Sequence, residues 1–311
     1  MIKVHSAYFK SIVKNLLPLF PFYASLCFQL RKLKRNQRFL SWIERLPIPN
    51  RYIVHFYINN NDILLANADR CSIAKKLFWD HGIRQPTEDN ISISLFYYLS
   101  QTSDVVLDIG TNSGLFALVA AKANSSAKII AFDILPEALH IFYDNIMINN
   151  LAGKILFRLC GVGSNGQVFS APLYEISSEM PSSLSLDNII ETSCNVQVPV
   201  SSLDEILDPF ADNSRAVLIK IDTEGTEVDI FINGLKSLEL FRPDIICEIL
   251  SFSNYSKIDS ILSLFNYSRY LITDRGLLLC DVLKPSAKFK DWYFTTKYLN
   301  KSFFGFDVIT C

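Results

Sequence analysis

Between Val105 and Ile249 the chain alternates short apolar runs with helical ones, and this rhythm limits the fold more than any other feature. Val105–Ile109, Lys128–Phe132, Ile155–Leu159, Ala216–Ile221 and Asp244–Ile249 have strand length and are rich in Val, Ile and Leu. Leu115–Ala123, Pro136–Asn149 and Glu227–Leu240 read as helices, the last interrupted at Gly234. Ser202-Leu203-Asp204-Glu205 is a capping box that opens a further short helix. Strands that are apolar throughout and separated by helices form a parallel sheet covered on both faces. Beyond Ile249 a helix near Ile258–Phe265 precedes β-like runs near Tyr267–Ile272, Gly276–Asp281 and Trp292–Thr296, which suit an antiparallel edge.

The lead-in has a different texture. Arg51–Ala68 holds two β-rich runs around Asn59-Asn60-Asn61-Asp62, the composition of a hairpin turn. Helices are expected at Ser72–Trp79 and from Pro86 to about Leu99. The expected layout is an N-terminal arm over 1–45, a hairpin and helical lead-in over 46–103, and a catalytic α/β body over 104–311.

Charge is unevenly distributed. Residues 1–43 carry eight basic side chains and no acidic one, so all 31 acidic residues face 22 basic ones in the remainder. A body with that balance is poorly suited to tracking a phosphate backbone, and nucleic acid is not expected as a partner. Asn15–Leu30 is apolar but holds Pro18 and Pro21, and its 16 residues fall short of the ~20 that a spanning helix needs. No small-x-small cleavage site follows it. The favoured reading is a cytoplasmic helical arm packed on the body or on a second subunit. The alternative is peripheral membrane contact through residues 1–40, since RKLKR follows the apolar run. The seven cysteines form no C-x-x-C pair and no zinc spacing, so scattered reduced thiols and no structural metal are expected.

VVLDIGTNSG places Asp108, Gly110, Thr111, Asn112 and Gly114 where a strand hands over to a helix. Ligands of open α/β sheets bind at this carboxyl edge, where a helix start offers free N–H groups. The spacing D-x-G-x-x-x-G lacks the middle glycine of the dinucleotide fingerprint, which argues against NAD. S-adenosylmethionine has no pyrophosphate, and its amino-acid end suits a nearby carboxylate such as Asp108. Asp133 ends the next strand 23 residues after Gly110, where an acidic side chain can accept ribose hydroxyls. A strand-end Asp that caps the following helix would look the same. Gly161 and Val162, after the third strand, leave room for an adenine ring or form a plain turn.

VLIKIDTEGTE is the most informative stretch. Lys220 stands inside a strand expected to be buried on both faces, and a buried ammonium needs a partner. Alternation puts Lys220 and Asp222 on one face, Glu224 follows in a turn, and Glu248 ends the strand of IICE. A lysine of lowered pKa, or one of these carboxylates, could deprotonate a hydroxyl. A purely structural ion-pair network is the plain alternative, and a divalent cation on Asp222 and Glu224 is another. Acid–base work by the network is favoured over metal. The four histidines, His5, His55, His81 and His140, are left out of the site.

In order, DIGTNSG, FDILPEALHIFYDNIMINN, VPVSSLDEIL, LIKIDTEGTEVDIFING and RPDIICEIL resemble the FkbM methyltransferase family. The resemblance implies a Rossmann-like class I methyltransferase with a mostly parallel seven-stranded sheet, helices on both faces, and an N-terminal helical and hairpin extension. It implies S-adenosylmethionine as donor and a hydroxyl acceptor on a sugar, glycolipid or secondary metabolite. By motif position, Asp108, Gly110, Asn112 and Gly114 would line the methionine end and Asp133 the ribose, while Lys220, Asp222 and Glu224 would face the transfer site. Thr111 and Thr226 stand where the family often has Ala, and Asp133 where it often has Glu. The contrasting expectation is a non-catalytic binding protein that keeps the fold.

Overall fold

The computed structural model describes residues 16–20, 22–32, 46–49, 52–80, 88–173, 194–211 and 215–310. His5, His81, the helix opening at Pro86 and most of the basic arm lie outside the described residues.

The chain divides into two compact units, one drawn from 1–84 and 176–180, the other from 85–175 and 181–311. In the first unit, helix α1 (Tyr23–Lys32) precedes a hairpin of β1 (Val54–Ile58) and β2 (Asn61–Leu65), followed by α2 (Ser72–Trp79). Asn59 and Asn60 have φ of 43° and 64°, and Ile58 pairs with Asn61 across them. Two successive left-handed residues give the turn whose twist matches a hairpin, and asparagine tolerates that conformation. Tyr52 and Phe78 meet edge to face at 4.9 Å, Phe28 joins Tyr52 at 5.6 Å, and Tyr23 donates its hydroxyl to the Pro47 carbonyl at 2.7 Å.

The second unit opens with α3 (Glu88–Ser100), a helix that the sequence grouped with the lead-in. There follow β3 (Val105–Ile109), α4 (Leu115–Ala123), β4 (Lys128–Asp133), α5 (Pro136–Ile148) and β5 (Ile155–Leu159). β6 (Gly161–Val162), β7 (Val168–Pro172) and β8 (Asn195–Ser201) make a small sheet in the order β6-β8-β7. Next come α6 (Leu203–Leu207), β9 (Val217–Ile221), α7 (Glu227–Ile232), α8 (Leu235–Phe241) and β10 (Asp244–Glu248). The end of the chain holds α9 (Tyr255–Leu264), β11 (Ser268–Thr273), β12 (Gly276–Cys280), β13 (Asp291–Thr295), β14 (Ser302–Phe303) and β15 (Phe306–Thr310).

The main sheet has ten strands in the order β14-β15-β12-β11-β13-β10-β9-β3-β4-β5. From β5 to β11 it is the expected seven-stranded, mostly parallel sheet of a class I methyltransferase fold. Within those seven, β5, β4, β3, β9 and β10 pair in parallel, and β13 runs antiparallel between β10 and β11. β12, β15 and β14 widen the sheet beyond that expectation; β12 is the hairpin return of β11, and β15 adds to it in parallel.

β3 and β9 are buried at every residue, as strands covered on both faces must be. The 107/109 and 219/221 positions enter one apolar cluster with Phe231, Ile245 and Trp292. Ser202 caps α6 as its position predicts, accepting from the Glu205 N–H at 3.1 Å. The interruption at Gly234 separates α7 from α8, and a Cβ there would stand 2.7 Å from Leu203. At Gly114, φ is +84°, and a Cβ would lie 1.9 Å from the Phe142 ring of α5. Gly114→Ala combines a left-handed strain with an overlap inside the core. It should cost about 2–4 kcal/mol, read as a lowered midpoint in urea unfolding at unchanged m.

Candidate active site

Parallel strands bring the predicted residues to one edge because all five carboxyl ends point the same way. Asp108 of β3 is in register with Lys220 of β9, and Lys220 with Ile246 of β10. Asp222 and Glu224 lie just past the end of β9, and Glu248 is the last residue of β10. Each offers a carboxylate oxygen within 4.8 Å of the others, a set that an oxygen-seeking divalent cation could use.

Lys220 is almost fully buried. Its Nζ lies 3.4 Å from Asp222 Oδ2 and 3.9 Å from Asp291 Oδ1, and it donates to the Ile221 carbonyl at 3.4 Å. The Phe116 ring of α4 stands 5.2 Å away, centroid to ammonium. Burial alone would lower the lysine's pKa, but the charges of Asp222, Asp291 and Glu248 outweigh it and push the value up. The lowered pKa that would make Lys220 a base therefore does not occur, and the group stays an ammonium. The carboxylates answer in kind. Burial, followed by repulsion from Asp222, pushes Glu248 up to about 8, with Lys220 acting in the opposite direction. Glu224 is raised by burial and by Asp222. Asp291 is raised by burial against the pull of Lys220 and a hydrogen bond from Ser92.

Asp291 is a member of this group that sequence reasoning missed. It opens β13, and an antiparallel strand starts at the edge where its parallel neighbours end. The acidic residue ahead of Trp292-Tyr293-Phe294 was its only signal. Glu227 was missed as well. Wholly buried at the start of α7, its Oε1 accepts from Thr223 at 3.1 Å and from the Gly225 N–H at 2.9 Å, and its Oε2 from Ser253 at 3.0 Å. One carboxylate thereby ties the loop carrying Glu224 to the loop that follows Glu248. Glu224 itself sits in the left-handed region at φ 55°, held by that loop.

The glycine turn lies against this cluster. Asp222 donates its N–H to the Ile109 carbonyl at 3.0 Å, and a Cβ on Gly110 would fall 1.8 Å from the Asp222 carbonyl oxygen. Gly110 thus allows two chain segments to touch, as well as supplying φ +79°. Asp108 is buried; its Oδ2 accepts from Thr111 at 2.6 Å and from the Ala117 N–H at 3.0 Å, and burial raises it to about 6. Thr111 therefore uses its hydroxyl to hold Asp108. Asp133 accepts from the Asn112 N–H at 2.8 Å and the Leu135 N–H at 2.9 Å, so it ties the turn to the start of α5. Burial raises its pKa, against those same bonds. A carboxylate so engaged keeps further lone pairs for hydroxyls. Gly161 pairs with Val200 in the small sheet, and Val162 is buried beside it.

The turn can accommodate a polar cofactor. Asn112 Oδ1 and Ser113 Oγ are buried without a hydrogen-bond partner, although such atoms normally have one. An amino-acid end with ammonium and carboxylate offers both the donor and the acceptor that they lack. All six cysteines among the described residues are free, as expected of scattered thiols.

Residues 108–272 match the family model described as the methyltransferase FkbM domain. Methyltransferase 1 of Beauveria bassiana is 25% identical over 148 residues, covering 42% of this chain and 57% of that protein. Methyltransferase sdnD of Sordaria araneosa is 23% identical over 150 residues, covering 40% of this chain and 58% of its own. A solved methyltransferase FkbM from Methylobacillus flagellatus KT is similar over 73% of this chain and 56% of its own, at 15% identity and a TM-score of 0.41. The chain spans less than two thirds of the length of these relatives.

Two outcomes follow from the electrostatics and the loop tie. A carboxyl whose folded pKa lies above its ordinary value of 4.5 binds more protons folded than unfolded, so stability falls as pH rises from about 4.5 to about 8. Glu248→Gln should flatten that decline in urea midpoints measured across the range and leave the variant more stable at pH 8. Glu227→Ala strands the three donors and should cost about 2–4 kcal/mol, whereas Glu227→Gln keeps one acceptor and should cost about half as much, both read by urea unfolding.

Proposed function

The chain belongs to the FkbM methyltransferase family, and we propose that it transfers a methyl group to a hydroxyl oxygen of a sugar, glycolipid or secondary metabolite. S-adenosylmethionine is the donor, and when bound it supplies an electrophilic methyl carbon on a positively charged sulfur. The observation that carries this reading is the group of carboxylates around Lys220, packed directly against the glycine turn through Gly110 and Asp222.

Asn112, Thr111, Gly110 and Gly114 form the turn on which the donor's amino-acid end would rest, with Asn112 Oδ1 as a waiting acceptor. Asp108 keeps that turn in shape from beneath. The spare lone pairs of Asp133 suit the ribose hydroxyls, and Gly161 and Val162 lie on the side where the adenine would go. Oxygen is a poor nucleophile while it holds its proton, and removing that proton as the new bond forms is the task left to the protein. Glu248 suits that role best. Its raised pKa makes it a stronger base than an ordinary carboxylate, and carboxylate oxygens of Asp222 and Glu224 converge beside it. Lys220 remains charged, balances the cluster and fixes Asp222. The carboxylates also offer negative charge beside a cationic donor, which favours its binding.

The acidic remainder of the chain favours a neutral or sugar-like acceptor over a polyanion. Calorimetric titration with S-adenosylmethionine should give saturable heat; its absence in folded protein would sink the reading. Asp222→Asn and Lys220→Met should each lower kcat on the order of a hundredfold while donor affinity changes little. Asp133→Ala should instead weaken donor binding roughly tenfold. The acceptor would be found by mass spectrometry of glycans and lipids with and without the active protein, as a gain of one CH₂.

A further inference from the structure

We propose that Leu16–Lys32 is a docking surface for an anionic lipid bilayer. The segment carries apolar side chains that stand open to solvent. Phe20 is 63% exposed and Phe22 82%, with Leu16 and Leu26 half exposed beside them. Single exposed apolar residues are ordinary, but four within eleven positions, two of them phenylalanines, make a patch. The patch is carried on an anchored element. Within α1, Tyr23 and Cys27 are buried, and the Tyr23 hydroxyl is bonded to the Pro47 carbonyl. The rings thus stand immediately ahead of a helix that is anchored through Tyr23.

Charge selects the occupant. Residues 1–43 hold eight basic side chains and no acidic one, and α1 ends in Arg31 and Lys32. An anionic lipid surface supplies the opposite charge together with an apolar layer for the phenylalanines, the two attractions that interfacial helices combine. A second copy of the chain would bring like charge against like, which disfavours self-association through this face. No helix among the described residues is long and apolar enough to cross a membrane, and α1 has ten residues. A ten-residue helix gives a peripheral contact, with the rings at the headgroup level and the exposed Lys32 at its edge.

The test is co-sedimentation of the full chain with vesicles of phosphatidylcholine alone or mixed with phosphatidylserine. Binding should be about tenfold stronger to the mixed vesicles and should fall as salt is raised. Phe20→Ser/Phe22→Ser should weaken it at least about fivefold, with an unchanged thermal unfolding curve, since both side chains are exposed. Lys32→Glu/Lys34→Glu should weaken binding to the mixed vesicles only. Failure of the wild-type chain to bind mixed vesicles, equal binding to both compositions, or undiminished binding by the phenylalanine variant would overturn the proposal. So would a lipid-free dimer in sedimentation velocity that the same phenylalanine substitutions abolish, which would assign the face to a second copy.

Discussion

A single buried ammonium organises the edge of this sheet. Lys220 stands in a strand whose other members are Val, Leu and Ile, where an unpaired charge would be prohibitively costly. It is tolerated because Asp222, just past its own strand, and Asp291 of β13 reach it and the Phe116 ring closes another side. Those charges explain why its pKa moves up in spite of burial, whereas Glu248, Glu224 and Asp291 are raised by their own burial and by repulsion from Asp222, with Lys220 pulling them down. More acids than lysines are gathered there, so the cluster holds protons above the ordinary range. A cluster of that kind would suit the base and the cationic donor of the proposed reaction.

The second constraint is contact between backbones. Gly110 and the Asp222 carbonyl lie so close that no side chain could come between them. The turn that would cradle the donor and the turn that bears the acids are therefore packed backbone to backbone. Glu227 extends the tie to the loop following β10 through Ser253, and Asp133 extends it to α5 through Asn112 and Leu135. Several carboxylates in this protein thus act as braces, while Asp222, Glu224 and Glu248 keep oxygens free to converge. This division is a matter of which oxygens are already bonded, and spacing in the chain does not reveal it.

Much of the fold was legible beforehand because its signals were local. Apolar runs marked β3, β4, β5, β9 and β10 to within a residue or two, and Asn59-Asn60 announced the hairpin. β7, β8, β14 and β15 were not anticipated. β8 reads NVQVPVS, and an internal proline obscures a strand, while its partner β7 lies more than twenty residues away in the chain. β14 has two residues, and β15 finds its place only by adding to β12. Asp291 escaped for a related reason, because the edge that it joins depends on the reversed direction of β13.

The sequence by itself determined the alternation that makes a doubly covered parallel sheet, and the placing of Lys220, Asp222, Glu224 and Glu248 at its edge. These rest on period, on residue type and on the cost of burying charge, which act within a few residues. Tertiary structure alone decided that Lys220 stays protonated, that Asp108 and Thr111 bond to each other, and that Glu227 braces two loops. Those outcomes depend on which charges and donors arrive from distant strands, and electrostatic and hydrogen-bond energies are set by distance in space.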